Sequence, residues 1–142
     1  MSELFSCKIC EHVWPPQDHY IGDLGLTKAY LFDDQFFAGW TVLILQVHRT
    51  ELFQLTREER MGLIEEISLV GEALTEIFEV KKINSELLGN QTPHIHWHVV
   101  PRLHSDPDPL SPVWCVSHEP VHLSPKLLKE RLSLFRGSLG IS

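Results

Sequence analysis

The stretch Thr92-Pro93-His94-Ile95-His96-Trp97-His98-Val99-Val100-Pro101-Arg102 alternates imidazoles with apolar side chains. On an extended strand, successive side chains leave on opposite faces. His94, His96 and His98 therefore share one face, and Ile95, Trp97 and Val99 the other. The apolar set suits a buried core, which leaves three imidazoles in a row, each ~7 Å from the next along the strand. Packing gains nothing from such a row, so it points to function. Two chemistries use it. Neutral imidazoles can bind a catalytic metal and leave one coordination position for water. Alternatively, one imidazole attacks a phosphorus centre while a neighbour donates a proton to the leaving group. A protonated neighbour would keep the middle ring neutral by like-charge repulsion. Spacing alone leaves both open.

Working outward, residues 82–88 form a strand candidate that precedes the histidine strand (94–100) across a turn at Gly89-Asn90. Residues 28–34 and 40–47 read as two further strands joined by a turn. Residues 56–80 read as the main helix. Thr56-Arg57-Glu58-Glu59 fits a capping box, and Met61, Ile64, Ile67, Val70, Leu74, Ile77 and Phe78 recur every three or four positions as one apolar stripe. Residues 102–113 hold three prolines and read as a loop. Arg102 itself either adds positive charge near a phosphate or lies on the surface. Ser124-Pro125 starts a C-terminal helix. Trp97 belongs to the core, while His19, His104, His118 and His122 read as solvated. The expectation is an α+β two-layer domain: an antiparallel sheet of about five strands, one long helix and a C-terminal helix.

Length and composition agree. At 142 residues, 43% hydrophobic and 22% charged, the chain is one globular domain spanning 1–142, and neither disorder nor coiled coil fits. Twelve basic and nineteen acidic residues give −7 with no basic cluster, a poor match to a nucleic-acid backbone. Residues 1–10 lack the pattern of a signal peptide, and the longest apolar run, residues 40–45, is far short of the ~20 a membrane helix needs. The expected location is cytoplasmic, without nucleic-acid or membrane partners. There, Cys7-x-x-Cys10 reads as metal or redox chemistry before it reads as a disulfide. Cys115 stands alone.

His94-Ile95-His96-Trp97-His98-Val99-Val100 resembles the signature of the histidine-triad superfamily of nucleotide hydrolases and transferases. The similarity continues through Gly39, His48, Thr50-Glu51-Leu52-Phe53 and the helix start at Leu55-Thr56, and covers roughly residues 5–116. The ending Pro101-Arg102 is closer to the diadenosine-polyphosphate hydrolase branch. The resemblance implies a homodimer that attacks the α-phosphate of a dinucleoside polyphosphate or nucleoside phosphoramidate through a covalent nucleotidyl-histidine. It implies no organic cofactor. His96 matches the nucleophile, His98 the residue at phosphate and leaving group, and His94 the one that orients the cluster. Asn90, Asp33 or Asp34, and Gln91 match substrate-binding positions, the aspartates at the ribose hydroxyls. Trp114 matches a segment that folds over the site. Two departures stand out: Ala38-Gly39-Trp40 replaces the family's Pro-Gly-His, and the loop at Leu88–Gln91 is short.

Some relatives complete a structural zinc site with two histidines, and both positions are His here. The resemblance thus implies a Cys7, Cys10, His48, His94 set, with His12 as a competitor of Cys10's neighbourhood. Two other readings stand beside the nucleotide hydrolase. One is a metal-dependent hydrolase with His94, His96 and His98 as ligands, although no acidic residue follows to complete the set. The other is a non-catalytic nucleotide-binding or interaction protein on the same fold.

Overall fold

The structure, a computed structural model, describes residues 6–141. Residues 1–5 and Ser142, the ends of the expected 1–142 domain, lie outside the described residues. Five strands form one antiparallel sheet: β1 (Tyr20–Asp23), β2 (Thr27–Leu31), β3 (Thr41–Leu45), β4 (Val80–Leu87) and β5 (His96–Leu103), in the order β1-β2-β3-β5-β4. The helices are α1 (Arg57–Ile77) and α2 (Pro125–Leu139). The α+β architecture is the expected one. β1 went unread in the sequence because it is four residues long and carries Gly22 in its middle.

Caps set the helix starts. Thr56 accepts from the Glu59 amide at 3.1 Å while the Glu59 carboxylate accepts from the Thr56 amide at 2.8 Å, satisfying two donors the helix leaves orphaned. Ser124 caps α2, which ends at Gly140 in the left-handed conformation. The buried stripe of α1 differs from the expected one: Leu63, Ile67, Val70 and Leu74 face the sheet, whereas Met61 and Ile64 are exposed. Both rows keep helical spacing, and the side on which the sheet lies decides between them.

The core lies between the sheet and α1 and α2, where Ile95 and Val99 meet Leu31, Leu43, Leu63, Val70, Leu74 and Phe135. Trp97 packs half-buried against the same cluster. The opposite sheet face carries Tyr30, Val42 and Ile44, and the N-terminal segment covers it through Ile9 and Trp14. Residues pair across the sheet as Ile44↔His96 and Val42↔His98, so the imidazoles belong to this second face. His94 precedes the strand instead of starting it, held by its amide to the Thr92 carbonyl at 2.8 Å.

Arg102 is neither at a phosphate site nor on the surface. It is 2% exposed; its guanidinium donates to Asn84 Oδ1 and the Ser111 and Asp108 carbonyls, pairs with Asp106, and covers the Phe37 ring. It shares the histidine face by period two, and there it clamps the loop after β5. At the sheet's other end, Arg136 of α2 donates to the Tyr20 and Ile21 carbonyls of β1. Beyond its ladder with β5, β4 makes no backbone bond among the described residues.

The turn between β2 and β3 is built around Gln35, whose amide donates to the Phe32 and Trp40 carbonyls and accepts from the Gly39 amide. Gly39 has φ +93°, and a Cβ there would lie 2.6 Å from Phe78 Cε2 and 3.1 Å from Leu74 Cδ2. Gly39→Ala is expected to cost about 2–4 kcal/mol, from the left-handed backbone plus overpacking. Urea unfolding measures it, and an unchanged midpoint would contradict this account.

Candidate active site

The three imidazoles are buried, at 3%, 6% and 3% exposure for His94, His96 and His98. Their hydrogen bonds assign each tautomer, because the partners can only accept or only donate. His96 Nδ1 lies 2.7 Å from the His94 carbonyl oxygen, so Nδ1 carries the hydrogen and Nε2 keeps its lone pair. His98 Nδ1 accepts from the indole N–H of Trp40 at 3.0 Å, so its hydrogen is on Nε2. His94 Nε2 donates to the Leu45 carbonyl at 2.7 Å, which leaves the Nδ1 lone pair free.

Burial holds His96 below the ordinary imidazole range, against the opposing effect of the His94 carbonyl. For His98, burial and then the His96 ring push the value down to about 3. Both rings are therefore neutral at physiological pH. Aromatic edges enclose them: Trp14 against His96 at 5.4 Å, Phe32 and Trp114 against His98 at 5.5 and 5.1 Å. Trp40 stacks on Phe32 at 4.3 Å, which holds its indole N–H towards His98.

His96 and His98 form part of the lining of a cavity of about 570 Å³, which Asn90, Gln91, Thr92, Trp114, Lys8, Val13, Trp14 and Phe32 also line. The expected substrate positions Asn90, Gln91 and Trp114 are thus brought to the cavity. Asp33 and Asp34 are not in its lining. Asp33 accepts from Trp14 Nε1 at 3.1 Å. Asp34 accepts from the Val121 and Phe36 amides and from His118 Nε2. Burial alone would raise its carboxyl, but those hydrogen bonds hold it below the usual range. His118, read as solvated, is Asp34's partner and stacks on Phe36. His19 and His122 likewise bond the Leu31 and Asp33 carbonyls.

Trp14, Phe32, Lys8 and Trp40 were not read as site residues. Residues 8–14 follow no periodicity, and their only signal was the nearby cysteine pair. Trp40 showed itself solely as a departure from Pro-Gly-His.

Cys7, Cys10, His48 and His94 come together, their ligand atoms within 4.8 Å of one another, and His12 is not among them. His94 Nδ1 lies 3.0 Å from His48 Nδ1, 3.5 Å from Cys7 Sγ and 3.6 Å from Cys10 Sγ, and His48 Nδ1 lies 3.3 Å from Cys10 Sγ. A tetrahedral zinc with N and S ligands at ~2.0–2.3 Å has edges of roughly 3.3–3.7 Å, and the three sulfur–nitrogen separations fall in that range while the His48–His94 edge is shorter; the two-thiol, two-imidazole donor set suits that ion. The Cys10 amide donates to Cys7 Sγ at 3.3 Å, as suits a thiolate. Among the described residues, His96 and His98 join no such cluster, and His98, which accepts from Trp40 at Nδ1 and carries its hydrogen on Nε2, has no lone pair left to offer an ion. That arrangement counts against the three-histidine metal hydrolase.

Residues 17–105 match the HIT domain, and the chain belongs to that family. A histidine triad protein from Bradyrhizobium japonicum is 30% identical, with TM-score 0.76 over 87% of this chain and 92% of its own. A zinc-bound histidine triad family protein from Mycobacterium smegmatis is 24% identical, with TM-score 0.69 over 95% of this chain and 94% of its own. A Plasmodium falciparum diadenosine triphosphate hydrolase shares the fold at 12% identity, with TM-score 0.68 over 89% of this chain and 79% of its own. No curated protein matches the sequence. No described helix is long and apolar enough to cross a membrane.

The depressed His98 value carries a consequence for stability. The unfolded imidazole binds a proton near pH 6.5 while the folded one does so near 3, so stability is complete above about 6.5 and falls as pH drops towards 3, by about 1.4 kcal/mol per unit for this ring. Urea unfolding at pH 7.5 and 5.0 is expected to differ by about 2 kcal/mol from His98 alone. His98→Gln should shrink the difference; an identical slope in the variant would contradict the assignment.

Proposed function

We propose that the protein is a nucleotide hydrolase or nucleotidyl transferase acting at the α-phosphate of a dinucleoside polyphosphate or nucleoside phosphoramidate. The observation that carries this reading is the His96 tautomer: Nδ1–H is committed to the His94 carbonyl, and Nε2 offers its lone pair in a neutral ring at the cavity. Nε2 attacks the α-phosphorus, the bond to the leaving group breaks, and the leaving atom departs with that electron pair. The ring becomes a nucleotidyl imidazolium, whose positive charge the His94 carbonyl dipole stabilises through Nδ1–H. His98, neutral and holding its hydrogen on Nε2, donates a hydrogen bond to a phosphate oxygen or to the leaving atom and keeps its proton. Trp40 keeps it in that tautomer, since an indole N–H cannot accept. Water then displaces His96 from phosphorus and regenerates the free ring. Asn90 and Gln91 supply amide donors to the phosphates, and Trp114 covers the nucleotide. The fold shared with a diadenosine triphosphate hydrolase supports the substrate class.

Cys7, Cys10, His48 and His94 hold a structural zinc in this reading. The zinc-bound relative supports it, as does the donor geometry. The ion would neutralise two thiolates and fix the N-terminal segment to the sheet, orienting His94 as an outer-shell support for His96. A thiolate pair kept available for metal suits a reducing compartment, so we place the protein in the cytoplasm, without nucleic-acid or membrane partners. The free edge of β4 supports a homodimer.

Incubation with diadenosine tetraphosphate and adenosine phosphoramidate is expected to release AMP, and His96→Ala to lose at least about 10³-fold of the rate while keeping its circular dichroism spectrum. Nucleotide binding without release by the wild type would instead identify a non-catalytic binder. Elemental analysis is expected to find one zinc per chain, absent from Cys7→Ser. A fully folded wild type devoid of metal would sink the zinc assignment.

A further inference from the structure

Part of the cavity wall comes from outside the sheet. Lys8, Val13 and Trp14 line it, and all three belong to or follow the Cys7-x-x-Cys10 turn. Their backbone is one knot: the Lys8 carbonyl accepts from the Val13 and Trp14 amides at 2.8 and 3.2 Å, and the Cys7 carbonyl accepts from Glu11 at 3.0 Å. Lys8 lies between the two cysteines, so the residues that close around a metal also set where its backbone stands and from where its exposed side chain reaches the cavity. Trp14 is tied across to Asp33 and meets His96 edge-on.

The charge balance gives Lys8 its meaning. It is the one cationic side chain among the described residues lining the cavity. Arg102 is consumed by the loop it clamps. His98 is neutral, since burial and the neighbouring ring hold it so. The chain as a whole is an anion of −7. A phosphate chain entering this cavity brings several negative charges and finds one cationic side chain.

We propose that Lys8 is the specificity-determining cation of the pocket, favouring nucleotides whose α-phosphate bears further phosphates, and that metal at the cysteine turn holds it in place. The proposal rests on the reading of the cavity as a nucleotide site. Because the same short segment serves both ligands, their affinities are linked, and each must strengthen the other by the same factor.

Binding separates this from turnover. Zinc-loaded His96→Ala protein is titrated with diadenosine tetraphosphate and with AMP, followed by tryptophan fluorescence from Trp14 and Trp114. Adding Lys8→Gln is expected to weaken the tetraphosphate about fivefold more than AMP, the scale of one exposed charge contact, while Lys8→Arg retains the preference. Transfer of zinc to a chromogenic chelator is expected to slow when diadenosine tetraphosphate is bound, and to slow less in the Lys8→Gln protein. Equal weakening of both ligands, or zinc release indifferent to nucleotide, overturns the proposal while the nucleotide site stands. Failure of either nucleotide to bind the Lys8-containing protein overturns the site reading and this proposal with it. A methylene-bridged tetraphosphate analogue on wild-type protein repeats the titration should His96→Ala not fold.

Discussion

His94 donates from Nε2 to the Leu45 carbonyl, and the rest of the site is arranged around that bond. An imidazole has two nitrogens; once one donates to the main chain of β3, the other can only offer a lone pair. That lone pair points at Cys7, Cys10 and His48. The carbonyl of the same residue then receives Nδ1–H of His96, which turns the opposite nitrogen of that ring to the cavity. One residue thus ties β3, the Cys7, Cys10 and His48 cluster and His96 into a chain of fixed polarity. Reversing the tautomer of His94 or His96 would set a buried ring lone pair against a carbonyl oxygen, acceptor facing acceptor, a cost of about 1–3 kcal/mol.

Burial does the remaining chemical work. Imidazoles in water are half-charged near neutrality, whereas rings walled by Trp14, Phe32, Trp40 and Trp114 stay neutral. Neutral rings can be packed side by side at 5.2 Å without repulsion, as His96 and His98 are. The same aromatic wall lowers the local dielectric, so each hydrogen bond offered inside it counts for more than it would in water. Unlike a basic cleft, this site owes its polarity to oriented neutral groups and very little formal charge.

Much of this was legible from the residues. Period two along His94–Val99 divided the imidazoles from the core, and Thr56–Glu59 located the start of α1. What escaped depends on partners far along the chain. Met61 and Ile64 obey the same spacing as Leu63 and Ile67, and only the position of the sheet tells the rows apart. Asp34 looks available in sequence, yet residues 118 and 121, distant in the chain, use it for their own hydrogen bonds. Arg102 likewise follows the strand's alternation inward, where four acceptors wait, one on β4 and three in the loop after β5, whose folding back over the sheet no spacing announces. Trp14 belongs to a segment whose shape is dictated by sulfur and backbone, with no apolar rhythm to announce it.

The guanidinium of Arg136 has a consequence for assembly. By taking the carbonyls of Tyr20 and Ile21, it leaves β1 poor in acceptors for an incoming strand, while among the described residues no other backbone segment pairs with the outer edge of β4. A sheet able to grow from one side only would be a chain terminator: two copies joined at β4 would present two blunted ends, and growth would stop at that pair.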